Sequence, residues 1–182
     1  MKKIINMILT TGLMIGSIGY LIYYGVNMNF YRLVPAVLVF VLLGIFYILD
    51  KKYFNFNETN KLIIISFLFL AQFLGSVVNL YTKISWYDSF VHYLSGAFSV
   101  YVANLILIKT KTTLSNRLGK LLFFFGFSCS IIVLWETFEF TSDMFLGTVL
   151  QHADTTGVVD TMVDTIMALL GTITALLIPI KK

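Results

Sequence analysis

The chain has 182 residues, 58% of them hydrophobic and 12% charged, with a net charge of +4 and a mean hydropathy of +0.88. A soluble domain is nearer about 45–50% apolar and about 25% charged, so a soluble globular protein and a disordered one are both excluded. The single cysteine, Cys129, excludes a disulfide scaffold and leaves a polytopic membrane protein.

A bilayer core of about 30 Å takes roughly 20 apolar residues per helix. Such runs occur at 4–25, 33–49, 62–81, 87–108, 118–140 and 158–180. They predict an all-α fold, a six-transmembrane-helix bundle forming a single integral membrane domain over 1–182. The first run follows Met1-Lys2-Lys3 as a signal peptide would, but it is long for one and no A-x-A site follows, so it reads as an uncleaved helix. Pro35 opens the second run, where a missing N–H is harmless, and Pro179 closes the sixth. With six spans, Lys2, Lys3, Lys51, Lys52, Lys61, Lys109, Lys111, Arg117, Lys120, Lys181 and Lys182 share one side. Only Arg32 and Lys83 fall on the other. The positive-inside rule makes the lysine-rich side cytoplasmic, with both termini inside. The basic surplus then faces anionic lipid. The lipid bilayer is the expected partner, and no nucleic acid is.

This topology makes the acids informative. Asp50 and Glu58 sit beside lysines in a cytoplasmic connection and read as a solvated loop. Asp88, Glu136, Glu139, Asp143, Asp154, Asp160 and Asp164 all belong to the outer half, as do His92 and His152. Asp88 and His92 are four apart, Glu136 and Glu139 three apart, Asp160 and Asp164 four apart. Each spacing puts a pair on one helix face, so three successive helices present ionisable groups at one depth. The macrodipole favours Asp88 and Asp160 at helix starts and opposes the glutamates near a helix end. Ionisable groups inside a span cost a few kcal/mol and usually face the bundle interior.

Without Lys or Arg partners, the cluster needs either shared protons or a divalent metal ion. Zn, Mn or Fe suits oxygen plus imidazole, and Mg or Ca suits oxygen alone. The candidate metal cluster is therefore Asp88, His92, Glu136, Glu139, Asp160 and Asp164, with Glu136 or Glu139 as a candidate general base. Taken singly, Asp88 and Asp160 also suit helix capping, and His92 suits a satisfied buried histidine. His152 and Asp154 read as solvated loop residues or accessory ligands, and the loop 141–157 as a possible lid. Cys129, mid-span, reads as a small buried hydrophobe. Gly96, Ser99 and Ala103, then Ala168, Gly171 and Ala175, form small-residue stripes that let membrane helices approach closely. Gln72 and Asn79 are polar residues suited to reach the cluster or fasten a helix contact.

The motifs Tyr87-Asp88-Ser-Phe-Val-His92-Tyr-Leu-Ser-Gly96, Trp135-Glu136-Thr-Phe-Glu139, and Gln151 with Gly157-Val-Val-Asp160-Thr161-Met-Val-Asp164 and a later Gly171 resemble the YjdF-like family. These are bacterial inner-membrane proteins of uncharacterised function, and the resemblance covers roughly 79–171. More distantly the chain is similar to VanZ-like proteins. Their Asp-Lys-x-x-His motif is matched by Asp88 and His92, with Ser89 in place of the lysine. Their acidic-Gln segment is matched loosely by Glu136 or Glu139 and Gln151, and their Asp-x-x-x-Asn motif by Asp160 with Asp164 in the Asn position. The resemblance implies the bacterial cytoplasmic (inner) membrane and a place near the envelope, and it supplies no reaction.

There is no H-E-x-x-H, no P-loop and no cation-rich phosphatase motif. The leading expectation is accordingly a non-catalytic membrane factor. Two alternatives follow from the acids: a metal-dependent hydrolase or transferase acting on a lipid-linked or envelope substrate, and a cation- or proton-coupled transporter. The second lacks the inverted repeats and broken helices common in transporters.

Overall fold

The computed structural model describes residues 1–28, 32–151 and 158–178. Among these the regular structure is entirely helical, and six helices are long and apolar enough to cross a membrane. The chain divides into two compact units, Met1–Tyr87 and Asp88–Lys182.

In the first unit, α1 (Lys2–Val26) is followed by α2 (Leu33–Leu49), which continues without a break as the π-helical π1 (Asp50–Phe54). Then α3 (Glu58–Leu68) runs into π2 (Phe69–Val77), and a single turn, α4 (Leu80–Lys83), follows. Pro35 is accommodated in the first turn of α2, where no intrahelical N–H is required. The second span therefore reaches Phe54, not 49. Asn55 ends it in the left-handed region (φ 44°), a conformation that asparagine tolerates better than most residues. The Asn55 N–H then closes onto the Asp50 carbonyl at 2.7 Å.

The solvated-loop assignment of Asp50 does not hold. Its carboxylate is buried, accepts from the Phe56 N–H at 2.6 Å and pairs with Lys61 at 2.9 Å. Asn57 caps α3 by accepting from the Asn60 N–H, so the third span begins at Glu58 rather than 62. The Asn6 amide fastens α1 to this corner, donating to the Glu58 carbonyl at 2.9 Å and its carboxylate at 2.8 Å.

The same span stops at Val77, not 81, because Asn79 turns the chain with a positive φ of 66°. Within π2 the Tyr81 and Tyr87 hydroxyls donate to the Ala71 and Leu70 carbonyls at 2.8 and 2.9 Å. Side-chain donors of this kind satisfy backbone oxygens that an irregular helix exposes inside an apolar layer. Gln72 is buried with its Oε1 unbonded.

The second unit is α5 (Tyr87–Thr110), α6 (Arg117–Leu146) and α7 (Val158–Leu177). Its centre is polar and small. A Cβ added to Gly96 would overlap the Ala168 carbonyl, and one added to Gly171 would overlap the Tyr93 carbonyl. The backbones of α5 and α7 therefore touch, as the small-residue stripes imply. Ser128 of α6 closes the third side, sharing a 2.6 Å hydrogen bond with Thr172 and donating to the Gly96 carbonyl at 3.4 Å. Each such bond between membrane helices contributes on average about 0.6 kcal/mol. Farther along, Val100, Ala103 and Phe124 form an apolar core. Residue 128 of α6 thus meets 96 of α5, and 124 meets 100 and 103, so α6 runs antiparallel to α5. Cys129 is half-buried and free.

The fifth span runs to Leu146, six residues past the expected end, and Gly147 terminates it in the left-handed region. Of the expected sixth run, Val158–Leu177 is helix, and Pro179 and residue 180 lie outside the described residues.

Candidate metal centre

Antiparallel α5 and α6 bring the start of α5 level with the latter part of α6. The Gly96–Ala168 and Gly171–Tyr93 contacts bring the start of α7 to the same end. Asp88 stands in the first turn of α5 and Asp160 in the first turn of α7. His92 and Asp164 lie one turn deeper and are both buried.

The His92 ring is the hub. Its Nε2 is 3.4 Å from Asp88 Oδ1 and 3.8 Å from Asp164 Oδ2. Its Nδ1 is 3.9 Å from Glu136 Oε1. Charge-assisted N–H···O bonds are shorter, about 2.7–2.9 Å, so all three contacts are looser than a direct ion pair. One donor atom from each of Asp88, His92 and Asp164 falls within 4.8 Å of the others. Both Glu136 oxygens are buried and have no hydrogen-bond partner. Glu139, though buried, is engaged elsewhere: Trp135 Nε1, one turn back on α6, donates to its Oε1 at 2.8 Å.

Among the described residues of this unit, no Lys or Arg belongs to the stretches of sequence that carry these carboxylates. Among the described residues of the unit, the Lys and Arg side chains are Lys109, Lys111, Arg117 and Lys120, all around the α5–α6 connection. Lys109 is 17 residues beyond His92 on the same helix, or roughly 25 Å at 1.5 Å per residue.

Of the six sequence candidates, the structure groups Asp88, His92 and Asp164 as donors and sets Glu136 against the far side of the imidazole. Glu139 is held by Trp135, and Asp160 is half-buried one turn before Asp164. His152 and Asp154 lie outside the described residues.

The sequence reading assigned no role to Asp143. Its Oδ1 accepts from the Thr148 hydroxyl at 2.6 Å and the Leu150 N–H at 2.7 Å, and its Oδ2 accepts from the Gln151 N–H at 2.9 Å. Gln151, also buried, donates through Nε2 to Thr161 of α7 at 3.2 Å. The first part of the 141–157 segment is therefore helix and a turn pinned to that helix. Residues 152–157 lie outside the described residues. The available signal was Gly147 directly after an apolar run, a helix C-terminus that brings the chain back past Asp143.

A family model described as "Predicted membrane protein (DUF2238)" matches residues 6–180. The chain is also 33% identical over 125 residues to an uncharacterised protein of Thermotoga maritima. That match covers 69% of this chain and 64% of the relative, so the chain spans just under two thirds of the relative's length. No solved structure matches. The chain belongs to the DUF2238 family.

Proposed function

We propose that this DUF2238 member is a multi-pass membrane factor that holds one divalent cation between Asp88, His92 and Asp164. One observation carries the proposal: the two carboxylate oxygens facing His92 Nε2 stand off at 3.4 and 3.8 Å. Around a tetrahedral zinc with bonds of about 2.0–2.2 Å, ligand atoms lie roughly 3.3–3.6 Å from one another. The separations suit donors arranged around a common ion better than pairs bonded directly. A metal-bound histidine usually offers its second nitrogen to a carboxylate that fixes the ring, and that is the role given to Glu136. Mixed oxygen and imidazole donors favour Zn, Mn or Fe over Mg or Ca. Glu139 and Asp160 stand outside the ligand set on this proposal.

The lysine distribution supports both termini in the cytoplasm, hence a centre near the outer face of the bacterial inner membrane within one integral domain. The motif resemblance to the YjdF-like family is consistent with that placement. A metal-dependent hydrolase or transferase on a lipid-linked or envelope substrate draws support from one further observation. The buried, unpartnered Glu136 carboxylate has the chemistry of a general base beside a metal site.

Metal content of the detergent-purified full chain, read by elemental mass spectrometry, tests the proposal. Near one Zn, Mn or Fe per chain is expected, lost in His92→Ala and in the near-isosteric Asp164→Asn, with both variants monodisperse. Monodisperse wild type that takes up none of these metals after supplementation overturns it.

A further inference from the structure

The first unit carries a cavity of about 440 Å³, within the range of about 300–1,000 Å³ typical of small-molecule sites. Tyr20 and Tyr24 of α1, Arg32 at the head of α2 and Lys83 of α4 supply its polar groups, and Phe73 and Val77 of π2 its apolar wall. Arg32 and Lys83 are the two basic residues that the sequence topology sets apart from all the others. Far apart in the chain, they line one cavity.

No carboxylate lines the cavity among the described residues. The unit's two acids, Asp50 and Glu58, are engaged at the α2–α3 corner with Lys61 and Asn6. Lys83 Nζ spends one donor on the Val78 carbonyl at 2.8 Å, and an ammonium has three. The Arg32 guanidinium interacts with Tyr20, and a guanidinium has five donors in a planar fork. The fork matches phosphate oxygens in pairs, and a lysine adds a point charge. Tyrosine hydroxyls beside the cations add neutral donors, and the aromatic and aliphatic wall suits whatever the anion is attached to.

We propose that this cavity binds a phosphate-type oxyanion, gripped by Arg32 and Lys83 and flanked by the Tyr20 and Tyr24 hydroxyls. The site is independent of the metal centre. Its ligand is a lipid phosphate headgroup or a free phosphate.

Calorimetric titration of the full chain in neutral detergent tests it, with two probes: dihexanoyl phosphatidic acid and inorganic phosphate. R32Q/K83Q is expected to weaken binding at least about tenfold, whereas K51Q/K52Q, which removes two exposed lysines elsewhere, leaves it unchanged. Tighter binding of the phosphatidic acid supports the site and assigns it to a lipid headgroup. Equal binding of inorganic phosphate supports it and assigns a soluble phosphate. If R32Q/K83Q is not monodisperse, Val78→Trp, which fills the cavity from an exposed position, is expected to abolish binding. Wild-type affinity for both probes in R32Q/K83Q or in Val78→Trp, or an equal loss in K51Q/K52Q, overturns the proposal.

Discussion

Asp50 and Asp164 are buried almost equally, at 5% and 4% exposure, but their surroundings differ. Around Asp50 every partner is complementary and close: a backbone N–H at 2.6 Å and the Lys61 ammonium at 2.9 Å. Around Asp164 the nearest cationic candidate is a histidine at 3.8 Å, itself 3.4 Å from a second carboxylate. The first arrangement is closed and needs nothing added. The second gathers carboxylates around one imidazole, with oxygens of Asp88, Asp164 and Glu136 between 3.4 and 3.9 Å from its nitrogens. What distinguishes the candidate site from the Asp50 corner is therefore not the burial of an acid but its burial without a close counter-charge.

The largest effect that separates the two regions is expected at Asp50. Asp50→Asn removes one partner of a buried ion pair, and hydrogen bonds to charged groups are worth about 1.5–3 kcal/mol. Thermal unfolding in detergent should show a loss of roughly 2–3 kcal/mol that added Zn, Mn or Fe does not repair. A wild-type melting temperature would show that the corner does not hold the fold.

Glu136→Gln should act in the opposite manner. Outer-shell partners of metal-bound histidines typically account for about 10–100-fold in affinity. The variant should melt like wild type without metal and need about 10–100-fold more metal for the same stabilisation. Unchanged metal affinity would remove Glu136 from its place behind the imidazole.

The smallest effect is expected at Glu139. Glu139→Gln keeps an acceptor for Trp135 Nε1 but loses its charge, a change of about 1 kcal/mol. It should shift tryptophan fluorescence slightly and leave metal affinity as in wild type. A large drop in metal affinity would return Glu139 to the ligand set.

The long helices and the paired acids were legible because both rest on local rules. An apolar run long enough to cross a bilayer is helical, and residues three or four apart share a face. The helix ends were less legible. Hydropathy does not register the π-helical continuation through Asp50–Phe54 or the left-handed turns at Asn55 and Asn79. Asp50 was misread because its burial depends on Lys61, eleven residues on and across a turn. Spacing alone also could not separate Glu136 from Glu139. Trp135, one turn before Glu139, does so by giving its indole N–H to only one of them. Asp143 organises a turn through contacts five to eight residues ahead, a range that helical periodicity does not describe.

If Asp88, His92 and Asp164 hold a cation as proposed, the glycine contacts between α5 and α7 make that site a caliper. Its jaws are Asp88 with His92 on one helix and Asp164 on the other, and the helices meet at Gly96 and Gly171 with no side chain between them. A gap held by two backbones in contact cannot be retuned by a rotamer change, as it could if leucines separated the helices. Discrimination by ionic radius, between metal–oxygen bonds of about 2.0–2.2 Å for zinc and about 2.3–2.6 Å for calcium, would then be set by the helix backbones rather than by the ligand side chains. On that proposal a single methyl at Gly171, which would overlap the Tyr93 carbonyl, is expected to part the helices and widen the jaws.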